Sequence, residues 1–269
     1  WVLLGQSQYQ NIPLIQMASL TSVYGISFVI VFVNAAVAEG IIWITGSLRR
    51  TAGRQASLSV AGASLIVAFV LVVSAYLWGT YQVKSLTAQT ASVLKTSLIQ
   101  GNIPQHKKWN TEEKKNILDH YNNLTIEASK EKADLIVWPE TATPGSLKED
   151  EHVNLSVGKI VRATGIPLLT GSSSTGKIVI KERKMKRDFN SAFLLDESGT
   201  IVSTYSKLRL LPFGEYIPFE GIFPWPKWLV PISGICVPGD THTVFHFPKG
   251  KFGVVICWEI LFPDLFRIF

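Results

Sequence analysis

The sequence predicts an α/β layered domain that is preceded by two transmembrane helices. Two long apolar stretches lie within the first 80 residues, and short apolar strands alternate with amphipathic helices from about residue 95. Several further strands follow one another after residue 165. Alternation of strands and helices is typical of α/β sheets, and about 20 apolar residues are enough to cross a bilayer.

The composition supports a membrane protein. Of the 269 residues 47% are hydrophobic and only 17% are charged, with a formal net charge of +6. A basic excess in such a chain is typical of loops near anionic lipid. The sequence has no glycine-rich phosphate loop, zinc-ligand spacing or RNA-binding motif, so we expect no nucleic-acid partner, no metal and no cofactor. The two cysteines, Cys236 and Cys257, are too few for a disulfide scaffold.

The two apolar stretches cover residues 22–46 and 57–78. Asn34 and Glu39 are the polar residues that interrupt the first stretch. A carboxyl group inside a membrane span is costly, so we expect Glu39 to face another helix or to lie near an interface. A buried helix pair in a soluble protein is the alternative interpretation.

The loop between these stretches predicts the orientation of the chain. Residues 47–54 contain three arginines and no acidic residue, which indicates a cytoplasmic loop by the positive-inside rule. We therefore expect a membrane region over residues 1–80 and a second domain over residues 93–269 on the extracytoplasmic side. In a bacterium this places a multi-pass protein in the inner membrane with its domain facing the periplasm.

The remaining chain predicts alternating elements and one hairpin. Helices are expected from Thr111 onwards, on the face that contains Ile117 and Tyr121, and over residues 151–163, ending at Gly165. Residues 196–199 predict a hairpin turn. The expected strands are 95–100, 133–138, 167–171, 191–195, 201–205 and 252–256.

Two segments are less regular. Residues 177–187 contain six basic residues, which predicts a solvated loop or, alternatively, a contact with anionic headgroups. Residues 209–240 are rich in Pro, Trp and Phe. A long irregular segment in a compact domain is usually functional, so this one is either a lid that dips into lipid or packed core beneath a loop.

Three predicted strands are followed by residues that are chemically unlike them. Glu140 follows the strand at 133–138, Lys207 follows the strand at 201–205, and Cys257 follows the strand at 252–256. Taken singly, each has a structural explanation: a capping glutamate, a surface lysine and a small buried cysteine. Side chains at strand ends are held rigidly at the open edge of a sheet, where α/β active sites form.

Together these three residues are sufficient for acyl transfer. A thiol needs its proton removed before it attacks, and Glu140 is the candidate base for Cys257. The Lys207 ammonium would favour the thiolate and stabilise the oxyanion that forms at an attacked carbonyl. The backbone N–H of Trp258 is the candidate second oxyanion donor.

These motifs resemble the Glu–Lys–Cys triad of the nitrilase (carbon–nitrogen hydrolase) superfamily. The order Glu140, Lys207, Cys257 and the run Cys-Trp-Glu after an apolar strand carry the resemblance. It implies an α-β-β-α sandwich. Within the superfamily the chain resembles the bacterial inner-membrane branch that completes lipoprotein acylation, through the two spans and the runs at residues 100–105, 138–142, 211–218 and 256–260.

The resemblance also implies roles and partners. Cys257 would take an acyl chain from a phospholipid as a thioester and pass it to the N-terminal amine of a diacylglyceryl-cysteine lipoprotein. Glu215, Glu259 and Trp258 would support the triad, and Trp109 would face the substrate. The expected partners are the phospholipid donor, the lipoprotein acceptor and the bilayer.

The chain departs from that branch in some respects. Trp258 stands where these acyltransferases often have tyrosine. Members usually have more spans ahead of the first and more strands after the cysteine, so we expect this sequence to be an incomplete enzyme whose sandwich lacks its C-terminal part. A membrane-tethered amidase or nitrilase and an inactive membrane scaffold are the alternative functions.

Overall fold

The computed structural model describes residues 3–47, 55–88, 93–180, 183–219, 222–223, 225–226 and 236–269. The chain divides into two compact units, Trp1–Ala91 and Ser92–Phe269.

The first unit is helical. A 3-10 helix at Leu4–Gln8 and the short helix α1 (Ile12–Ile15) precede two long helices, α2 (Ala18–Ser47) and α3 (Gln55–Ala88). Both long helices contain a stretch long and apolar enough to cross a membrane, as the two predicted spans require. The arginines of the predicted cytoplasmic loop, at positions 49, 50 and 54, lie outside the described residues.

Helices α2 and α3 meet through small and polar residues. A Cβ atom on Gly40 would lie 3.1 Å from the side chain of Leu65, so the helices are already close there. Ser64 Oγ donates a hydrogen bond of 3.0 Å to the carboxylate of Glu39. Glu39 therefore has a partner on the neighbouring helix, as the cost of a carboxyl group within a span requires.

The second unit contains seven strands in the part of the chain that the structure describes. Its helices are α4 (Gln105–Lys108), α5 (Lys114–Ser129), α6 (Glu151–Thr164) and α7 (Pro263–Ile268), with 3-10 turns at Thr111–Glu113 and Cys257–Leu261. Its strands are β1 (Thr96–Leu98), β2 (Leu135–Val137), β3 (Leu168–Ile180), β4 (Arg183–Leu195), β5 (Ile201–Ser206), β6 (Val244–Phe247) and β7 (Gly250–Gly253).

The first five strands form one mixed sheet in sequence order. Strands β1, β2 and β3 are parallel, whereas β4 is antiparallel to β3 and β5 is antiparallel to β4. Strand β5 therefore runs in the same direction as β2. The carboxyl ends of β2 and β5 consequently meet at one edge of the sheet.

Three layers pack around two apolar cores. Alternate residues of a strand point to opposite faces of a sheet. In β4, Phe193 and Leu195 lie in the core that is shared with α5 and α6, whereas Ala192 and Leu194 lie in the core that contains Phe245 of the β6–β7 hairpin. This helix–sheet–sheet arrangement matches the predicted α/β sandwich.

Local signals define helix α6. Asp150 caps its first turn by accepting a hydrogen bond of 3.3 Å from the N–H of Val153, and Gly165 ends the helix in the left-handed conformation at φ 63°. Glycine adopts this conformation without the steric penalty of a Cβ atom, which explains why the helix ends here. The apolar stripe Val153, Val157, Ile160 and Val161 is buried against the sheet.

Two sequence interpretations are wrong. The predicted solvated loop at 177–187 instead belongs largely to the paired ends of β3 and β4, because the strands continue beyond the apolar core. The predicted strand 252–256 ends at Gly253, where pairing with β6 stops, and a 3-10 turn begins at Cys257. The thiol therefore lies beyond a short connecting segment and not directly on a strand.

Candidate active site

The sheet topology brings Glu140 and Lys207 together. Glu140 follows β2 and Lys207 follows β5, so both lie at the edge where these strands end. The Nζ atom of Lys207 lies 3.8 Å from Oε1 of Glu140. Two residues that are far apart in the sequence thus form an ion pair because the intervening strands reverse direction twice.

Lys207 is almost completely buried. Its side chain is 1% exposed, and its Nζ lies 2.9 Å from one carboxylate oxygen of Glu215 and 3.0 Å from the other. A buried ammonium is stable only if charged or polar partners replace its water. Glu140 and Glu215 provide this replacement, so Lys207 sits between two carboxylates.

Glu215 is held from several sides. The backbone N–H of Leu211 donates a hydrogen bond of 2.8 Å to its carboxylate, and the side-chain amide of Asn190 donates one of 2.9 Å. Burial alone raises the pKa of Glu215, but the hydrogen bonds from Asn190, Lys207 and Leu211 outweigh burial and hold this pKa below its ordinary value. Glu215 is therefore ionised at neutral pH.

Asn190 is a site residue that the sequence analysis missed. Its Nδ2 also donates a hydrogen bond of 2.6 Å to Oε1 of Glu140, so one amide connects two carboxylates. Asn190 lies within β4, opposite Ser173 of β3 and at the edge where β2 ends. The only signal in the sequence was a polar residue directly before the predicted strand 191–195. This signal becomes informative only once the strand is known to be antiparallel to its neighbour.

Cys257 has an unusual backbone conformation. Its φ angle is +52°, in the left-handed region that a residue with a side chain rarely adopts. Such conformations cluster at functional sites because surrounding contacts must maintain them. The residue is exposed, and neither Cys257 nor Cys236 forms a disulfide. The thiol is therefore accessible to a substrate.

The surroundings of Cys257 keep it protonated at rest. Partial burial and the nearby Glu140 carboxylate raise the pKa of the thiol, whereas the Lys207 ammonium and a hydrogen bond with the Trp258 backbone lower it less strongly. A protonated thiol is a poor nucleophile and needs a base. Glu140, Lys207 and Trp258 are therefore close enough to the sulfur to affect the pKa of the thiol.

Glu259 fixes the turn that carries Cys257. Its side chain is fully buried, and Oε2 accepts a hydrogen bond of 2.8 Å from the N–H of Ile256. Its other oxygen accepts hydrogen bonds from the hydroxyl of Tyr205 at 2.8 Å and from the N–H groups of Leu208 and Arg209 at 2.7 and 3.0 Å. Glu259 thus ties the cysteine turn to the segment that follows Lys207.

Close backbone packing fixes the position of Glu140. A Cβ atom on Gly171 would lie 2.6 Å from the carbonyl oxygen of Pro139 and from the nitrogen of Thr141. Lys108 donates a hydrogen bond of 3.1 Å to the carbonyl oxygen of Glu140. Burial lowers the pKa of Lys108, and the charge of Glu140 opposes this decrease.

A cleft opens over these residues. Its volume is about 570 Å³, and its lining includes Lys108, Trp109, Glu140, Asn190 and Glu215. Trp109 is 63% exposed, so its indole ring is free to contact a bound molecule. A second cleft of about 390 Å³ is lined mainly by apolar residues, among them the Trp258 side chain.

Part of the predicted lid is described. Phe219, Ile222 and Phe223 are largely exposed, which agrees with a lid and not with packed core. Trp225 packs its ring against Phe213 and Phe223, with centroids 5.1 and 4.6 Å apart. Trp228 and Leu229, which the sequence also assigned to this segment, lie outside the described residues.

The structure thus groups most of the predicted site residues at one edge of the sheet. Lys207 forms ion pairs with both Glu140 and Glu215, and Asn190 donates hydrogen bonds to the same two carboxylates. The charges of Glu140 and Lys207 affect the pKa of the Cys257 thiol. Glu259 is not part of the cleft lining. It accepts a hydrogen bond from the N–H of Ile256, just before the turn that carries Cys257. The side chain of Trp258 points to the second cleft, where it contacts Phe262.

Both parts of the chain match known protein families. Residues 95–269 match the family described as carbon-nitrogen hydrolase, and residues 1–36 match the apolipoprotein N-acyltransferase N-terminal domain. The chain is similar to apolipoprotein N-acyltransferases from Geobacter metallireducens, at 31% identity over 100% of this chain and 49% of the relative, and from Chlorobaculum tepidum, at 30% identity over 98% and 51%.

A solved amidase from Nesterenkonia sp. is also similar, with 18% identity, a TM-score of 0.47 and coverage of 66% of this chain and 61% of that one. The chain spans about half the length of the curated relatives that it matches. Because the match to the carbon–nitrogen hydrolase family covers residues 95–269, which include the whole described site, the chain belongs to that family.

Proposed function

We propose that the protein of which this chain is part transfers an acyl chain from a phospholipid to the N-terminal amine of a diacylglyceryl-cysteine lipoprotein, with Cys257 as the nucleophile. The observation that carries this proposal is the buried Lys207 ammonium, paired with Glu140 and Glu215 beside an accessible thiol. The similarity to apolipoprotein N-acyltransferases supports this choice of reaction.

In the first half-reaction Glu140 removes the proton from the Cys257 thiol. The thiolate attacks the ester carbonyl of the phospholipid, and the oxyanion is stabilised by the Lys207 ammonium and the Trp258 N–H. When the carbon–oxygen bond breaks, Glu140 returns its proton to the leaving alkoxide. The products are a lysophospholipid and a Cys257 thioester.

In the second half-reaction the free α-amine of the lipoprotein attacks the thioester. Glu140 accepts a proton from the attacking nitrogen, the carbon–sulfur bond breaks and Cys257 leaves as the thiolate. Glu140 then returns the proton to this thiolate, which restores the resting thiol and carboxylate. The same oxyanion donors act in both steps because the same carbonyl carbon becomes tetrahedral twice. Trp109, exposed at the cleft, is the proposed contact for the incoming substrate.

Water must be excluded between the two steps, because hydrolysis would destroy the thioester. The exposed aromatic residues Phe219 and Phe223 belong to the segment that we propose as a lid at the membrane surface. We further propose a bacterial inner-membrane location, with residues 93–269 on the periplasmic side. Helices α2 and α3, each long and apolar enough to cross a bilayer, support the membrane location.

The proposal is tested with the full-length protein in phospholipid vesicles. A synthetic diacylated lipopeptide with a free α-amine is added, and mass spectrometry follows its conversion to the triacylated form. We expect conversion in the wild type and none in Cys257→Ala. Hydrolysis of small amides by the wild type without lipopeptide acylation would assign it instead as an amidase, and the absence of both activities in the wild type would indicate a scaffold. Equal conversion by the wild type and Cys257→Ala would refute Cys257 as the nucleophile.

A further inference from the structure

Asn190 occupies a position that no proposed catalytic step uses. Its side-chain Nδ2 donates one hydrogen bond to Glu140 at 2.6 Å and one to Glu215 at 2.9 Å. An amide nitrogen carries two hydrogens, so both are engaged by carboxylates. These donors also determine the orientation of the amide, because its oxygen cannot face a carboxylate favourably.

The other end of the same amide is left unsatisfied. The Oδ1 atom of Asn190 is buried and has no hydrogen-bond partner among the residues that the structure describes. A buried polar atom without a partner is unfavourable for folding. Asn190 therefore lowers the stability of the fold through its unpaired oxygen. This loss of stability is expected if the residue is needed to hold the site residues in place.

We propose that Asn190 is a positioning residue that holds the carboxylates of Glu140 and Glu215 in a fixed arrangement around Lys207. This inference rests on the proposed function, because it concerns the base of that reaction. Lys207 alone does not fix Glu140, since their atoms are 3.8 Å apart, whereas the hydrogen bond from Asn190 is 2.6 Å long. The neutral amide supplies two donors without adding charge.

Several charged groups surround these two carboxylates, and Asp188 lines the same cleft. Glu215 faces Lys207, the Leu211 N–H and the thiol of Cys236, and Glu140 faces Lys207, Cys257 and the ammonium of Lys108. Burial raises the pKa of Glu215, and the hydrogen bond from Asn190 is the strongest influence that lowers it. Loss of that donor should make protonation of Glu215 easier.

The test compares Asn190→Leu, which removes the donors, with Asn190→Asp, which replaces the amide by a titratable carboxyl of the same shape. Asn122 provides a matched control, because its Nδ2 donates to Ser156 and its Oδ1 is likewise buried without a partner among the described residues. The control variant is Asn122→Leu. Two quantities are measured in the full-length protein. They are kcat and KM for steady-state acylation of the lipopeptide from phospholipid vesicles as a function of pH, and the amount of Cys257 thioester formed without lipopeptide.

We expect Asn190→Leu to lower kcat by about a hundredfold, with KM for phospholipid little changed, because small displacements of a catalytic group reduce turnover strongly. Its rate relative to wild type should fall further as the pH decreases. The relative rate of Asn190→Asp should instead rise with acidification, because a protonated carboxyl regains one donor. Asn122→Leu should follow the wild-type profile.

Two results overturn the inference. If Asn190→Leu and Asn190→Asp retain the wild-type kcat and pH profile, Asn190 does not position the carboxylates. If both lose activity with pH profiles parallel to that of the wild type, its role is merely structural. A wild-type protein that forms no thioester would instead refute the proposed function itself.

Discussion

At the scale of single residues, the buried ammonium of Lys207 forms ion pairs with two carboxylates. Lys207 is 1% exposed and pairs with Glu215 at 2.9 Å and with Glu140 at 3.8 Å. Removing one member of a buried ion pair leaves the other charge without compensation. Lys207 is therefore important for folding as well as for the proposed oxyanion, and its variants must be assessed for both.

Substitution of Lys207→Met should abolish most acyl transfer. It removes one oxyanion donor, which typically lowers kcat by a factor of about 10²–10³. It should also lower the free energy of unfolding by about 3 kcal/mol, because the partly buried Glu215 carboxylate loses its cation. Steady-state kinetics and thermal unfolding check both effects. Lys249→Met, which removes a largely exposed partner of Asp134, is the control and should change neither quantity strongly.

Substitution of Glu259→Gln should destabilise the cysteine turn. Glutamine can keep the three hydrogen bonds at Oε1, but its amide would then place a donor against the N–H of Ile256. We expect the free energy of unfolding to fall by about 1–3 kcal/mol. The control is Asp264→Asn, which removes an exposed ion pair with Arg209. Equal stability of the two variants would contradict this account of Glu259.

The pH dependence of stability should include a contribution from Glu215. Its pKa is lowered in the folded state, so the stabilisation is fully present above the ordinary glutamate pKa and is lost as the pH falls through the lowered value. Thermal midpoints should therefore decrease on acidification below the ordinary glutamate range. In Glu215→Gln this decrease should be smaller, and an unchanged pH dependence in that variant would contradict the assignment.

At the scale of elements, the close approach of β3 to the segment after β2 positions the proposed base. Gly171→Ala would place a Cβ atom 2.6 Å from two backbone atoms of that segment, so the segment that carries Glu140 must move. A displacement of about 1 Å can reduce turnover about a hundredfold. Gly62→Ala in α3, where a Cβ atom meets nothing within 4 Å, should leave acyl transfer unchanged.

The sequence predicted the elements well where the signals were local. Gly165 marked the end of α6, and apolar runs identified β2 and β5. The residues that follow these two strands gave the candidates Glu140 and Lys207. Asn190 was missed because its place depends on the antiparallel pairing of β4, which is not a local property. The strand before Cys257 was overextended, since apolar residues continue after the pairing with β6 has ended.

At the scale of the whole molecule, the chain combines an apolar helical unit with an α/β unit. The apolar stretches of α2 and α3 were evident from composition, because a membrane span requires a length that few soluble helices share. The orientation across the membrane remains a prediction, since the arginines at positions 49, 50 and 54 lie outside the described residues. The proposed lipid donor is what the similarity to apolipoprotein N-acyltransferases implies, and the two apolar helices are compatible with it.

The most direct test of the central claim is the mass of the Cys257 peptide after full-length protein has been incubated with phospholipid alone. The account predicts an added acyl chain on this peptide that hydroxylamine removes, as expected for a thioester. Formation should be absent in Cys257→Ala and strongly reduced in Glu140→Gln. An acyl group attached at another residue, or an unmodified Cys257 while the wild type still acylates a lipopeptide, would contradict the account.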